Sequence, residues 1–398
     1  MQKISRWCWV LLFGGLIAIT SPAQTFKTVE VFDFYKLGGY PQLMSLIQTK
    51  DGSLYGTTAL GGGPLVGTIF QITTSGQLNI LCYFGEGACV EEDYPYAGLI
   101  EASDGNFYGT TWQGGANKTG TVYQITPTGT LALLYSFCSL TNCSDGADPY
   151  APLIQATDGS FYGTTLNGGR KGYGTIFKIT STDSLTTLHS FRYADGASPT
   201  AGLIQARNGK FYGTTLYGGT TGGGTVFQIT SAGKLKSLYS FCSQKKCGDG
   251  ANPYLGLVQA TNGKFYGTTY AGGAHGHGTV FSITTVGKLT ALYSFCSQKK
   301  CADGADPIAG VIQATDGNFY GVASRGGMHN RGTIFQITAA GQLMTLYSFC
   351  AEKACADGAT PSGGLLQAAD GTFYGTTTYG GTYGYGTVFN LSMGLKPQ

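Results

Sequence analysis

The sequence predicts an all-β fold, specifically a seven-bladed β-propeller with four strands in each blade. The main observation is a repeat, because the motif Tyr-Gly-Thr-Thr recurs along the whole chain. Its seven copies, one of them degraded to Tyr-Gly-Val-Ala, begin at Tyr55, Tyr108, Tyr162, Tyr212, Tyr266, Tyr320 and Tyr374. Successive copies are 53, 54, 50, 54, 54 and 54 residues apart. Self-similarity at a nearly fixed period indicates a repeat architecture.

Each repeat contains four short segments with the composition of β-strands. In the third repeat they are residues 153–156, 161–165, 174–180 and 185–191. They are rich in β-branched and aromatic residues and are bounded by Gly, Asp, Asn or Ser, which is the pattern of strands separated by turns. Seven units of four strands favour a β-propeller, whose radial repetition leaves only short, protected sheet edges.

The two ends of the repeat region predict a closed ring. The last repeat ends with its third strand at 386–392, whereas an additional fourth strand, 28–34, precedes the first repeat. We therefore predict that 28–34 pairs with 386–392, which brings Val31 close to Val388. The alternative, an open β-solenoid, would need polar end caps. The predicted propeller spans 26–392 and is followed by a short tail, 393–398.

Residues 1–23 have the features of a secretory signal peptide. Lys3 and Arg6 precede an apolar run at 7–20, and small residues at 21–23 precede a predicted cleavage near Gln24. The run is short for a membrane span, so we expect none after cleavage; retention as an anchor is the alternative. The expected location is secreted, periplasmic or at the cell surface, and the expected state is a monomer.

The charge balance disfavours nucleic acid as a partner. The full chain has 24 basic and 21 acidic residues, and removing Lys3 and Arg6 leaves 22 against 21, a net charge near +1. No basic stripe is present, and sequence-independent binding to nucleic acid needs a clustered positive field.

Ten cysteines follow the signal segment, in pairs that bracket connections between blades. An even number in an exported chain predicts disulfides. The predicted pairs are Cys82/Cys89, Cys138/Cys143, Cys242/Cys247, Cys296/Cys301 and Cys350/Cys355. A zinc site is the weaker alternative because no cysteine and histidine cluster has zinc-finger spacing. No metal and no cofactor are predicted.

The recurring pattern LIQATDGNFYGTT…GG…GTVF-x-IT…LYSF…DGA-x-P resembles the GloVer-type tandem repeat of exported bacterial proteins with varied sorting tails. The resemblance covers nearly the whole chain after the signal segment and implies export, with secretion or surface display. It supplies no catalytic residues. Because 393–398 contains no apolar helix or basic tail, no sorting anchor is expected here.

Deviations from the repeat supply the candidate ligand-binding residues. In the predicted strand order, the loops between second and third strands share one face with the connections between blades, and binding residues concentrate on such loops. The candidates on that face are Trp112, Arg170, Tyr217, His275, His277, Arg325, His329 and Tyr379. Aromatic and placed polar groups are a common mix in ligand sites; for any single residue, a solvated loop tip is the alternative.

A second set of candidates lies on the first strand of each blade, where a ring of amides around the central channel could bind sugar hydroxyls. These are Gln48, Glu101, Gln155, Gln205, Gln259, Gln313 and Gln367. The favoured alternative is that they satisfy backbone groups along the inner edge. The Asp-Gly-Ala-x-Pro segments could bind Ca²⁺, but turn formation explains them better.

No catalytic residue is predicted. Gly-x-Ser-x-Gly and P-loop motifs are absent from the sequence, and a lone Glu101 in a ring of Gln is not a glycosidase pair. We therefore interpret the chain as an exported, non-enzymatic binding or surface-interaction module, with a possible glycan or protein ligand. The alternatives are a carbohydrate-binding protein using the long loops and an exported hydrolase or lyase at the channel.

Overall fold

The computed structural model describes residues 24–42, 45–89 and 92–397, and the predicted signal peptide lies outside the described residues. It confirms the predicted fold: seven four-stranded antiparallel blades form a ring, and one additional short strand joins the sheet of blade seven. Within blades one to six the strands pair in chain order. First strands from several blades line one axial cavity, so they are the innermost strands.

The strands of equivalent position have similar bounds in all blades. The innermost strands are Ile47–Gln48, Ile100–Glu101, Ile154–Gln155, Ile204–Gln205, Val258–Gln259, Ile312–Gln313 and Leu366–Gln367. The second strands are Leu54–Thr58, Phe107–Thr111, Phe161–Thr165, Phe211–Thr215, Phe265–Thr269, Phe319–Ala323 and Phe373–Tyr379. The third strands are Thr68–Ile72, Thr121–Ile125, Thr175–Ile179, Thr225–Ile229, Thr279–Ile283, Thr333–Ile337 and Thr387–Ser392. The outermost strands are Leu78–Tyr83, Leu131–Ser136, Leu185–Ser190, Leu235–Ser240, Leu289–Ser294, Leu343–Ser348 and Thr25–Val31.

Short elements supplement the blades at the connections. Glu92–Asp93 pairs with Gln113–Gly114, and Ala359–Pro361 pairs with the second strand of blade seven. Single 3₁₀ turns lie at Gly87–Cys89, Thr141–Cys143, Lys245–Cys247, Lys299–Cys301 and Lys353–Cys355.

The N-terminal strand closes the ring, with a shift from the predicted alignment. It spans Thr25–Val31 rather than 28–34 and pairs with Thr387–Ser392, so that Val31 faces Thr387. Phe32, not Phe34, occupies the position that Phe191 has in blade three, because both amides donate to the equivalent glycine carbonyl (3.1 and 3.0 Å). A slip of two residues keeps the same side chains on each face of the sheet, so the apolar pattern alone does not exclude it.

The hydrophobic core consists of seven clusters, each formed between two adjacent blades. The tyrosine of one Tyr-Gly-Thr-Thr motif stacks on the phenylalanine of the next blade, as Tyr162 does on Phe211 at 4.2 Å. A second aromatic pair crosses every interface, for example Phe191 with Phe227 at 5.4 Å. The pair across the closure, Phe32 with Phe70 at 5.2 Å, has the same geometry. The ring is therefore closed by the packing that joins its other blades.

The glycine of the motif makes room for this packing. A Cβ atom built on Gly163 would lie 2.5 Å from Cζ of Phe177 on the neighbouring strand and 2.8 Å from Cδ2 of Leu153. Both distances are shorter than carbon atoms tolerate without displacement. In this motif the tyrosine packs between two blades, and the glycine leaves the space that the phenylalanine opposite it on the neighbouring strand fills.

The second threonine of the motif forms a buried hydrogen bond across the strands. In blade three the Oγ1 atoms of Thr165 and Thr175 are 2.8 Å apart, and equivalent pairs occur in five other blades. In the degraded copy Ala323 replaces this threonine, and among the described residues Oγ1 of the buried Thr333 has no hydrogen-bond partner.

Replacing Ala323 by threonine is expected to raise the free energy of unfolding by about 1 kcal/mol, since it supplies a partner to a buried hydroxyl. Urea unfolding of Ala323→Thr, with the isosteric Ala323→Val as control, measures the effect. An equal gain in the valine variant would show that packing, and not the hydrogen bond, is responsible.

Candidate functional site

Two kinds of loop emerge on one side of the ring, which we call the long-loop face. It comprises the connections between blades and the loops 59–67, 112–120, 166–174, 216–224, 270–278, 324–332 and 380–386. The opposite side, the tight-turn face, has short turns such as 156–160. The tyrosines that are most exposed in the described residues, 38% to 69%, all lie on the long-loop face: Tyr35, Tyr173, Tyr193, Tyr217, Tyr379 and Tyr383.

One proline recurs in the connection that leads into each blade, at 41, 95, 149, 199, 253, 307 and 361. The residue before each of these prolines has a left-handed backbone conformation. The seven residues, with φ between 51° and 57°, are Tyr40, Tyr94, Asp148, Ser198, Asn252, Asp306 and Thr360. Each donates its backbone N–H to a carbonyl of the preceding blade; the bond from Asp148 to Thr119 is 2.7 Å long. These hydrogen bonds hold a conformation that side-chain sterics disfavour.

Aromatic residues surround part of the channel mouth on this face. Tyr96 and Tyr150, each directly after such a proline, stack at 5.5 Å, and Trp112 contacts Tyr96 edge-on at 5.3 Å. The hydroxyl of Tyr150 lies 3.5 Å from that of Tyr254, past the small Thr200. Burial raises the pKa of Tyr150, so its phenol remains protonated. In the described residues the buried indole Nε1 of Trp112 has no hydrogen-bond partner.

The channel below the mouth is apolar. Its cavity measures about 280 Å³ and is lined by Ser45, Ile47, Gly98, Leu99, Ile100, Pro152, Leu153, Gly202, Leu203, Ile204, Leu255, Gly256, Gly310, Val311, Ile312 and Gly364. None of these lining residues carries a titratable side chain.

The glutamine ring lies at the tight-turn end of the innermost strands, where the amides join neighbouring blades. Oε1 of Gln155 accepts the backbone N–H of Ser103 in blade two at 2.8 Å, and its Nε2 donates to Gly159 O in its own turn. Gln48, Gln205, Gln259, Gln313 and Gln367 bind the preceding blade in the same way. Glu101 occupies the equivalent position in blade two and is exposed. These contacts favour the structural interpretation of the amides.

The five predicted cysteine pairs lie at disulfide distance, in the connections between blades. Four of these loops are organised around a fully buried carboxylate: Asp145, Asp249, Asp303 or Asp357. In the loop after blade four, Oδ2 of Asp249 accepts hydrogen bonds from the hydroxyl of Tyr239 (2.7 Å) and from the backbone N–H and the hydroxyl of Ser243 (3.0 and 2.8 Å). Its Oδ1 accepts the Gln244 N–H. Hydrogen-bond donors of the protein thus bind the carboxylate oxygens that would have to coordinate a Ca²⁺ ion.

Two of the predicted ligand-binding residues, His277 and Arg325, meet at Asp306 between blades five and six. Nδ1 of His277 lies 2.9 Å from Oδ1 of Asp306, and Nη1 of Arg325 lies 3.7 Å from Oδ2 of the same carboxylate. His277 is also close to Cys296 and Cys301. Because these two sulfurs are bonded to each other, they present no thiolates to a metal.

The other predicted residues are distributed around the long-loop face. Tyr379 contacts Tyr40 at 5.6 Å, and Arg170 lines a groove with His189. His275 and His329 are exposed, as is Tyr217. Sequence reasoning missed the mouth tyrosines at 96, 150 and 254. The available signal was that the position after the proline varies between blades, from tyrosine to Thr200 and Ile308.

Comparisons with known proteins address the family and the fold. The family model described as the Gloeobacter/Verrucomicrobia repeat matches residues 13–144, 42–248, 138–302 and 242–396. No curated protein matches the sequence.

Several solved structures are similar in fold. Virginiamycin B lyase from Staphylococcus aureus has a TM-score of 0.60 at 12% identity, covering 93% of this chain and 99% of the lyase. The extracellular domain of a hybrid two-component system from B. thetaiotaomicron has a TM-score of 0.56 at 12% identity, covering 90% and 40%. PorZ, a surface component of the type-IX secretion system of Porphyromonas gingivalis, has a TM-score of 0.54 at 15% identity, covering 88% and 46%. At these identities the likeness shows the fold alone.

Disulfides are typical of proteins in oxidising compartments. The five cysteine pairs at disulfide distance therefore indicate an exported protein. Within the part of the chain that the structure describes, no helix has the length and apolar character to cross a membrane.

Proposed function

The chain belongs to the Gloeobacter/Verrucomicrobia repeat family, and on that premise we propose that it is an exported, non-enzymatic module that binds carbohydrate through its long-loop face. The observation that carries this proposal is the placement of the six most exposed tyrosines, all on that face. Single exposed aromatic side chains are normal on protein surfaces, but exposed apolar side chains that group on one face are typical of interaction sites, so the grouping of these tyrosines supports a binding surface.

Tyrosine suits a sugar ligand for two reasons. Its ring presents an apolar face for stacking against the C–H groups of a pyranose, while its hydroxyl bonds to sugar hydroxyls. Tyr173 and Tyr193 illustrate the arrangement, since Tyr173 lies in the loop 166–174 of blade three, Tyr193 lies in the connection that leaves this blade, and their rings are 5.6 Å apart. The mouth aromatics Tyr96, Trp112 and Tyr150 extend the aromatic surface inward.

A rigid frame supports this surface. The disulfides and the buried Asp249-type carboxylates fix the connections between blades, and the glutamine contacts hold the blades together at the opposite face. Preorganised loops reduce the ordering cost of binding. The proposed location is secreted, periplasmic or at the cell surface, where polysaccharides are available as ligands.

Replacing Tyr217 and Tyr379 by alanine is expected to weaken binding of the best ligand from a glycan array about tenfold, because each change removes a stacking surface. Both side chains are 48% exposed, so folding should be unaffected. Calorimetric titration measures the change, with Met344→Ala on an outermost strand as a matched exposed control. Unchanged affinity in the tyrosine variant, or no glycan ligand at all, would contradict the proposal and favour a protein ligand.

A further inference from the structure

A groove runs along the outer edge of blade three, which we call the blade-three groove. It has a volume of about 700 Å³ and is lined by Leu140, Ser144, Arg170, Lys171, Thr187, Leu188, His189, Ser190, Arg192 and Asp195. Blade six has the equivalent groove, of about 420 Å³, lined by Gln298, Ala302, Met328, His329, Thr345, Leu346, Tyr347, Ser348 and Ala351. The same place in the repeat therefore has a larger groove in blade three.

The larger volume coincides with a deletion. The connection that leaves blade three, starting at Arg192, lacks the cystine loop found after blades two, four, five and six. It is four residues shorter, which accounts for the single repeat spacing of 50 instead of 54 residues. Without that loop, only the short connection with Arg192 and Asp195 lines the groove on the blade-four side.

The blade-three groove is also cationic. Arg170, Lys171 and Arg192 are exposed, and in the described residues none of them forms an ion pair with a carboxylate. The only carboxylate in the lining, Asp195, accepts the Arg192 backbone N–H at 2.8 Å and lies 3.2 Å from His189 Nε2. The Asp195 carboxylate therefore already contacts His189 and the main chain of Arg192.

The charges are specific to this blade. The residues of blade six that correspond to the three cations by their place in the repeat are Met328, His329 and Cys350. A repeat that is otherwise nearly uniform therefore carries three unpaired cations at the one blade where a loop has been shortened. The lining hydroxyls of Ser144, Thr187 and Ser190 lie among these cations.

We propose that the blade-three groove binds an acidic polysaccharide, with Arg170, Lys171 and Arg192 contacting its carboxylate or sulfate groups and the lining hydroxyls contacting its sugar hydroxyls. A guanidinium pairs with such oxyanions through two parallel hydrogen bonds, which gives arginine an advantage at these sites. The volume exceeds what a single small anion fills, so the groove suits a substituted sugar chain. Tyr173 and Tyr193 adjoin the groove in the chain, whereas Tyr217 and Tyr379 belong to loops of other blades. The inference rests on the charged groups of the groove and not on the tyrosines that carry the proposed function.

The test is a binding titration of the full chain with polygalacturonate, which carries carboxylates, and with dextran sulfate, which carries sulfates. Neutral dextran is the uncharged probe. We expect binding to at least one polyanion to be about tenfold weaker in Arg170→Gln/Lys171→Gln/Arg192→Gln. Raising NaCl from about 50 mM to about 300 mM should weaken binding of the unmodified protein much more than that of the triple variant.

The matched control is Lys234→Gln/Lys236→Gln/Lys288→Gln, which removes the same number of charges from exposed positions outside the groove. Its affinity should stay within about twofold of that of the unmodified protein. An equal loss in both triple variants would show a net-charge effect and overturn the proposal. Failure of the unmodified protein to bind either polyanion, or clear preference for inorganic polyphosphate over both, would also overturn it. The Tyr217→Ala/Tyr379→Ala variant should bind polyanions normally, which separates this test from that of the proposed function.

Discussion

Replacing Phe32 by alanine is expected to lower the free energy of unfolding by about 3–5 kcal/mol, the cost of deleting a buried phenylalanine ring. Phe32 is fully buried at the interface where the first blade meets the last, against Phe70. Its backbone N–H also continues the pairing of the N-terminal strand by donating to Gly386. The variant leaves a cavity at the closure of the ring, where the packing partners come from opposite ends of the chain.

Thermal and urea unfolding measure this loss. The control is Tyr35→Ala, three residues along the same segment, because Tyr35 is 69% exposed and its truncation should change the free energy of unfolding by less than about 0.5 kcal/mol. Similar transitions for the two variants would argue against ring closure through the N-terminal strand.

Replacing Asp249 by asparagine is expected to cost about 2–3 kcal/mol near neutral pH, because an amide has only one acceptor oxygen and its NH₂ group would face a donor that now bonds to the carboxylate. Tyr239, Ser243 and Gln244 together supply four donors to this buried group. Asp195→Asn is the matched comparison in the short connection. Asp195 is partly exposed and accepts fewer hydrogen bonds, so the loss there should be smaller.

The cost of the Asp249 change should depend on pH. Burial raises the pKa of this carboxyl, but the hydrogen bonds from Tyr239 and Ser243 outweigh burial and hold the pKa below its ordinary value of 3.8. A lowered pKa in the folded state means that the charged carboxylate stabilises the fold above about pH 4 and that this stabilisation is lost as the pH falls further. The difference between the unmodified protein and Asp249→Asn should therefore shrink toward pH 2.5 or so. A constant difference in urea unfolding across this range would contradict the assignment.

The architecture could be predicted from the sequence because each blade repeats the same packing problem. The residue types at Tyr162, Gly163 and Phe177 recur in other blades because they have the same packing roles there. The tyrosine stacks on the next blade, and the glycine leaves the space that the phenylalanine fills. The exact register of the N-terminal strand could not be predicted in this way, because the segment departs from the repeat consensus. Residues 32 and 34 would lie on the same face of an extended chain, and Phe32 is distinguished by its contact with Phe70 and by its backbone hydrogen bond to Gly386.

The candidate site was less predictable. The sequence identified the long-loop face and exposed residues such as Tyr217, since turns and long loops differ in composition. It did not reveal that Tyr96 and Tyr150 from adjacent blades stack, because that contact depends on the distance between blades at the mouth. The sequence likewise could not show that Gln155 reaches Ser103 in the preceding blade.

The left-handed residues before the prolines that recur in every blade show how selectivity can arise on this ring. Their conformation is imposed by hydrogen bonds of the main chain, and residues as unlike as Tyr40, Asp148, Asn252 and Thr360 adopt it. The backbone conformation at these positions therefore does not depend on which side chain is present. Evolution can exchange one substituent at a time on an unchanged frame, so related chains with the same ring can acquire different specificities without redesigning the scaffold.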